Sequence, residues 1–120
     1  MTDALLLSDP RFFQHRSAAY HPERPERLDA AQAAIERARG SGLTFAPVAP
    51  RAATSEELAR VHSPKFLEWM NTLRGEEGYI DADTYLAPQS IAVAELAAGG
   101  TVALVDALLD GPVKRGIALV

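Results

Sequence analysis

Between Ile91 and Leu109 only Glu95 and Asp106 carry charge. Ile91, Ala94, Ala98, Val102, Val105, Leu108 and Leu109 recur at helical spacing, which predicts the strongest helix of the chain. With so few charges, most of its circumference is expected to be buried, so it needs partners on more than one side. Gly99 and Gly100 lie in its middle and cost roughly 1 kcal/mol each relative to Ala. Glycine pairs retained at that cost point to close packing against a neighbour. Gly111-Pro112 stops the helix.

A helix of this kind needs a sheet or other helices to cover it, and the rest of the chain offers both. Ala4–Leu7 is a short apolar run closed by Ser8-Asp9-Pro10, suited to a strand buried on both faces in a parallel sheet. Arg11–Arg24 is polar and irregular, with Phe12, Phe13, His15, Tyr20 and His21. Pro25 stands at a first helical position, Leu28, Ala31, Ile35 and Ala38 form a stripe, and Gly40 and Gly42 end that helix. Phe45–Val48 is a weaker strand. Thr54 and Glu57 are spaced as a capping box for a short helix, and Pro64 opens another with Phe66, Leu67, Trp69 and Met70. Gly75–Gly78 reads as a loop, and Gly116–Val120 as a further buried strand. The order strand, helix, strand, helices, strand is the opening of an α/β fold with a parallel sheet covered by helices. No complete domain boundary falls within residues 1–120, and the closing strand lacks the neighbours a core strand needs.

Composition narrows the function. A net charge of −4, with Arg24, Arg27, Arg37 and Arg39 offset by Glu23, Glu26, Asp29 and Glu36, argues against a nucleic-acid partner. The absence of Cys removes disulfides and thiolate metal sites. Met1–Leu7 is too short and is interrupted too soon by Asp9-Pro10 for a signal peptide or a membrane span, so the expectation is a cytoplasmic protein with no membrane partner.

Chemistry concentrates in two stretches. In His21-Pro22-Glu23-Arg24-Pro25-Glu26-Arg27-Leu28, two prolines stiffen a loop that runs into a helix. It reads either as a rigid ligand-facing loop or as a helix entry with a solvated Glu/Arg face. In Asp81-Ala82-Asp83-Thr84-Tyr85, the carboxylates are placed to accept substrate N–H groups or to hold a cation; in the plain alternative Asp83 caps a turn and Asp81 is solvated. Two carboxylates fall well short of a calcium site. His15, His21 and His62 form no metal-binding pair on a helix, and no metal ligand is assigned. A Gly-x-Ser-x-Gly elbow and a phosphate-cradling glycine loop are both absent.

Asp9-Pro10-Arg11-Phe12, His15 and the His21–Leu28 string come in an order that resembles the opening of class II-type histone deacetylases and their bacterial relatives, the acetylpolyamine amidohydrolases included. Arg51–Leu58 with His62, Asp83-Thr84-Tyr85, Ala97–Gly100 and Arg115–Val120 continue the resemblance over essentially the whole chain. It implies the N-terminal part of an arginase/deacetylase-like fold and zinc-dependent hydrolysis of an N-acetyl amide on lysine, a polyamine or a similar amine. The family's catalytic histidine pair and its zinc ligands, two Asp and one His, come later in its sequence. The resemblance therefore implies no catalytic residue and no bound zinc in residues 1–120, and no activity for this stretch alone.

The same resemblance places Asp83 at the rim of the substrate tunnel, His21 and Pro22 along the loop beside it, and Arg27 beneath the active site where acetate leaves. Arg27 also reads as a helix-entry charge paired with Glu23 or Asp29. The alternative function is a non-catalytic interaction module that self-associates through an open sheet edge at Gly116–Val120.

Overall fold

The computed structural model describes every residue from Met1 to Val120. Three parallel strands form the main sheet: β1 (Ala4–Leu7) lies between β2 (Phe45–Val48) and β5 (Gly116–Ala118). Leu7 pairs with Val48 on one side and Ala118 on the other. Parallel neighbours require crossovers, and helices supply them. The β1–β2 connection carries a short 3-10 helix (Pro10–Gln14) and α1 (Glu26–Gly40). The β2–β5 connection carries α2 (Ser55–Ala59), α3 (Pro64–Thr72), a two-stranded ribbon of β3 (Gly78–Tyr79) with β4 (Tyr85–Leu86), and α4 (Ser90–Asp110).

The apolar run Ala4–Leu7 alternates across the sheet. Leu5 and Leu7 join Val48 and Ala118 in a core with Phe12, Leu28 and the α4 residues Val93, Leu96 and Leu104. Leu7 is wholly enclosed. Leu6 faces the other way, toward Ile35 of α1, across a gap of about 300 Å³ that is open to solvent. On α1, Leu28 and Ile35 are buried and Ala31 and Ala38 half-buried, as the stripe predicts. Pro25 stands one position outside the helix, and Gly42, at φ 97°, takes the left-handed conformation that ends it.

The polar stretch after β1 is not wholly irregular. Asp9 caps the 3-10 helix by accepting from the Arg11 N–H at 2.8 Å and pairs with the Arg11 side chain. This turn buries Phe12, a single aromatic that periodicity does not reveal. The Thr54/Glu57 capping box forms with both bonds present, and Arg51 reaches the same Glu57 carboxylate at 2.7 Å. Neither α2 nor α3 buries a residue: Phe66 and Trp69 are exposed, with His62 stacked on Phe66 at 4.7 Å.

The long helix is present, but the phase of its burial differs from the predicted stripe. Its inner face is Val93, Leu96, Gly99, Gly100 and Leu104 together with Ile91, whereas Ala94, Ala98, Val105 and Leu109 are exposed. The helix is apolar on all sides, so the periodic pattern cannot tell which face meets the sheet. Its length and composition would also suit a membrane span. Its packing is that of a core helix, since Gly99 and Gly100 lie against the body of the protein and Glu95 is paired with Arg74 at 2.7 Å. Gly116–Ala118 is likewise a strand but not a buried one. It bonds to β1 along one edge, its other edge is unpaired, and Ile117 is 38% and Val120 43% exposed.

The glycine pair shows why α4 lies so close. A Cβ on Gly99 would sit 2.2 Å from the Arg51 carbonyl oxygen and 2.3 Å from the Ala53 nitrogen. On Gly100 it would sit 2.9 Å from Leu7 Cδ2 and 3.3 Å from Pro50 Cβ. The Ala53 N–H donates to the Glu95 carbonyl at 2.8 Å, tying this backbone to the helix. Gly99→Ala meets backbone that cannot move aside and should abolish cooperative unfolding or lower Tm far more than Gly100→Ala. The latter presses on flexible Leu7 and should cost about 1–3 kcal/mol by overpacking. Thermal denaturation of both variants beside the parent checks this order.

The Arg51 guanidinium, followed by the Thr54 N–H, holds the Glu57 carboxyl at about 2, against an ordinary 4.5. A depressed native pKa means that this contribution to stability is complete above about 4.5 and is lost as pH falls toward about 2. A carboxyl-carbon NMR titration should give a Glu57 midpoint near 2. Arg51→Met should move it back toward the usual range.

Candidate functional site

The loop from His15 to Pro25 runs from the 3-10 helix to α1. Facing it is the turn Asp81–Thr84, which joins β3 to β4. Within that turn Asp81 accepts from the Asp83 N–H at 2.8 Å and from the Thr84 hydroxyl at 3.2 Å. The Ile80 N–H closes it by donating to the Thr84 carbonyl at 2.8 Å. These bonds, the Asp83 N–H foremost, hold the Asp81 carboxyl below its ordinary range. The turn thus reverses the plain alternative drawn from sequence: Asp81 caps it, and Asp83 is exposed with its carboxylate free of hydrogen bonds to the chain.

Two histidines fasten the loop to the segment that begins at Asp83. His21 bridges to the Asp83 carbonyl through Nε2 at 3.0 Å and receives the Glu23 N–H on Nδ1 at 3.0 Å. His15 meets the Ser90 hydroxyl at 2.7 Å, and that hydroxyl oxygen also accepts from the buried Ala87 N–H at 2.7 Å. Ser90 begins α4, so the loop is pinned at the turn and at the helix start. Pro22 is exposed and lines neither cavity beside the loop. It has no N–H and fixes its own φ, and the next backbone N–H, that of Glu23, donates to His21.

Two of the cavities bordering the loop hold the candidate residues. One, of about 220 Å³, is lined by His15, His21, Glu23, Asp83, Thr84 and Tyr85. The other, of about 190 Å³, includes Phe12, His15, Arg27, Leu28, Ser90 and Val93. Asp83 and Arg27 therefore line different cavities, with Glu23 and His15 reaching both. The Arg27 guanidinium pairs with the Glu23 carboxylate four residues back, so the helix-entry pairing forms while Arg27 still lines the second cavity.

No group of three His, Cys, Asp or Glu side chains stands close enough to share a metal ion. Sequence reasoning left out His15, Glu23 and Ser90 as site residues. His15 and Ser90 are separated by 75 positions, so no local spacing links them, whereas Glu23 lay within the recognised loop.

A model of the histone deacetylase domain matches residues 21–120. The chain belongs to the histone deacetylase family. Polyamine deacetylase HDAC10 of Homo sapiens is 40% identical over 108 residues, covering 82% of this chain and 16% of that protein. Histone deacetylase 15 of Arabidopsis thaliana is 36% identical, covering 83% and 18%. A probable deacetylase of Methanothermobacter thermautotrophicus is 34% identical, covering 89% and 32%. The crystal structure of the HDA15 HD domain superposes with a TM-score of 0.86 at 32% identity, over 100% of this chain and 36% of that one. The α/β deacetylase fold is thus established, as an incomplete part of the domain, and the chain spans less than a third of the length of each of these curated relatives.

Ser90 is the buried polar joint of the site, with both the Ala87 N–H and His15 depending on its hydroxyl. Ser90→Ala leaves a buried donor unpaired and should lower stability by about 1–3 kcal/mol. Chemical denaturation at constant m-value provides the measurement.

Proposed function

We propose that residues 1–120 are the opening of a zinc-dependent deacetylase domain that removes acetyl groups from acetylated amines, an acetyl-lysine side chain or an acetylpolyamine. In this reading they supply the wall that orients the substrate and not the hydrolytic centre. The observation that carries it is Asp83: its backbone is fixed on both sides while its carboxylate is exposed beside a cavity and uncommitted. A fixed anion of that kind accepts N–H groups from an extended substrate, holds it in one orientation, and so reduces the entropic cost of reaching the reactive geometry.

Arg27, on the second cavity, is the matching cation for an anionic product such as acetate, sharing its charge with Glu23 until a stronger partner arrives. The donors in this stretch do not fit a zinc site. His15 and His21 are committed to Ser90 and to the loop backbone, and His62 is stacked on Phe66. The metal of the proposed enzyme is accordingly assigned to residues outside 1–120. The compartment we propose is the cytoplasm.

A second reading is favoured by the unpaired edge of β5 and the exposed apolar face of α4: this stretch as an interaction module that pairs through the open sheet. The two readings separate on one residue. In the complete deacetylase, Asp83→Ala should lower kcat/KM for an acetyl-lysine peptide about 10- to 100-fold, chiefly through KM, as expected for a lost charge-assisted hydrogen bond. The 120-residue chain alone should show no chelator-sensitive turnover. An unchanged KM in Asp83→Ala removes the orienting role, and a discrete, reversible dimer of the chain in analytical ultracentrifugation supports the module.

A further inference from the structure

The ring of His21 has two contacts, and together they permit a single protonation state. The backbone N–H of Glu23 donates to Nδ1 at 3.0 Å, and an amide N–H can only donate, so Nδ1 carries a lone pair. On the other side Nε2 lies 3.0 Å from the Asp83 carbonyl oxygen, which can only accept, so Nε2 carries the proton. Both demands are met by the neutral Nε2–H tautomer and by no other form. The opposite tautomer sets proton against proton at Nδ1 and lone pair against lone pair at Nε2. The imidazolium loses the first bond.

With both nitrogens used, His21 has no polar atom left for a substrate. What it does instead is complete the restraint on Asp83. The Asp83 N–H is held by Asp81, its carbonyl by His21, and only its carboxylate is left unpaired. We propose that His21 is a positioning residue. As the neutral Nε2–H tautomer it brackets the loop before α1 to the Asp83 turn, and so sets where the Asp83 carboxylate meets the substrate. This deepens the reading of Asp83 as the orienting anion and rests on it.

Two substitutions divide the ring into its halves. Asn places an oxygen where Nδ1 stands and keeps the bond from the Glu23 N–H, but it is too short for Asp83. Gln places an N–H where Nε2 stands and keeps the bond across to Asp83. In the complete enzyme, His21→Asn should raise KM about tenfold with kcat held, His21→Gln should stay within about threefold of the parent, and His21→Asn should add nothing to Asp83→Asn, the mark of two residues acting as one unit. Equal losses in Asn and Gln, a loss confined to kcat, or an additive double variant would overturn the proposal. The bracket itself is read without catalysis. Long-range proton–nitrogen NMR of the unmutated protein, labelled at histidine, should show a bare Nδ1 and a protonated Nε2 at His21. A protonated Nδ1 sinks the bracket whatever the kinetics give, whereas a correct tautomer with an inert Asp83→Asn faults only the role assigned to Asp83.

Discussion

The approach of Gly99 and Gly100 to Leu7, Pro50 and the Arg51–Ala53 backbone fixes α4 on the parallel sheet, and the site inherits its position from that contact. Side chains at both positions would hold the helix away and open a gap over Leu7, the one wholly enclosed large side chain. Because a helix is stiff and rises about 1.5 Å per residue, fixing it at Gly99 also places Ser90 roughly 14 Å away along the axis. Ser90 then holds Ala87 and His15, and the strand that ends at Leu86 leads back to the Asp83 turn. A backbone contact in the core is thereby connected to the exposed loops through rigid elements alone.

That dependence explains which features the sequence disclosed. Local signals were readable: the Thr54/Glu57 capping box, the apolar Ala4–Leu7 strand, the Leu28/Ile35 stripe and the packed glycine pair all rest on residues within a few positions of one another. What escaped was long-range or phase-ambiguous. The contact from His15 to Ser90 joins distant residues with no shared pattern. The 3-10 turn around Phe12 is too short for a period to show. The exchange of roles between Asp81 and Asp83 follows from which N–H groups the turn turns inward, and residue type does not encode that.

The misread phase of α4 has a different origin. A helix apolar on one side points its stripe at its only partner, but α4 offers apolar residues all round. Within these residues one face meets the sheet. The other, with Ala98, Val102 and Val105, joins Val120 in an open apolar surface. Since the chain covers 36% of the HDA15 HD domain with which it superposes, both this face and the free edge of β5 have the character expected of surfaces in an incomplete fold. The burial read from the sequence describes what such a helix needs, and these residues meet only part of that need.

Glu23 shows how closely the two sides of the loop are joined. Its backbone N–H is committed to His21, which meets Asp83, and its carboxylate to Arg27, at the start of α1. Pro22 directly precedes it and Pro25 follows two residues on, each with its own φ fixed. The Asp83 carbonyl and the Glu23 N–H meet on the two nitrogens of one imidazole, and the Glu23 carboxylate meets the Arg27 guanidinium. The exposed anion of the turn and the cation at the helix entry are therefore joined through two hydrogen bonds, one ion pair and the covalent frame of a single residue.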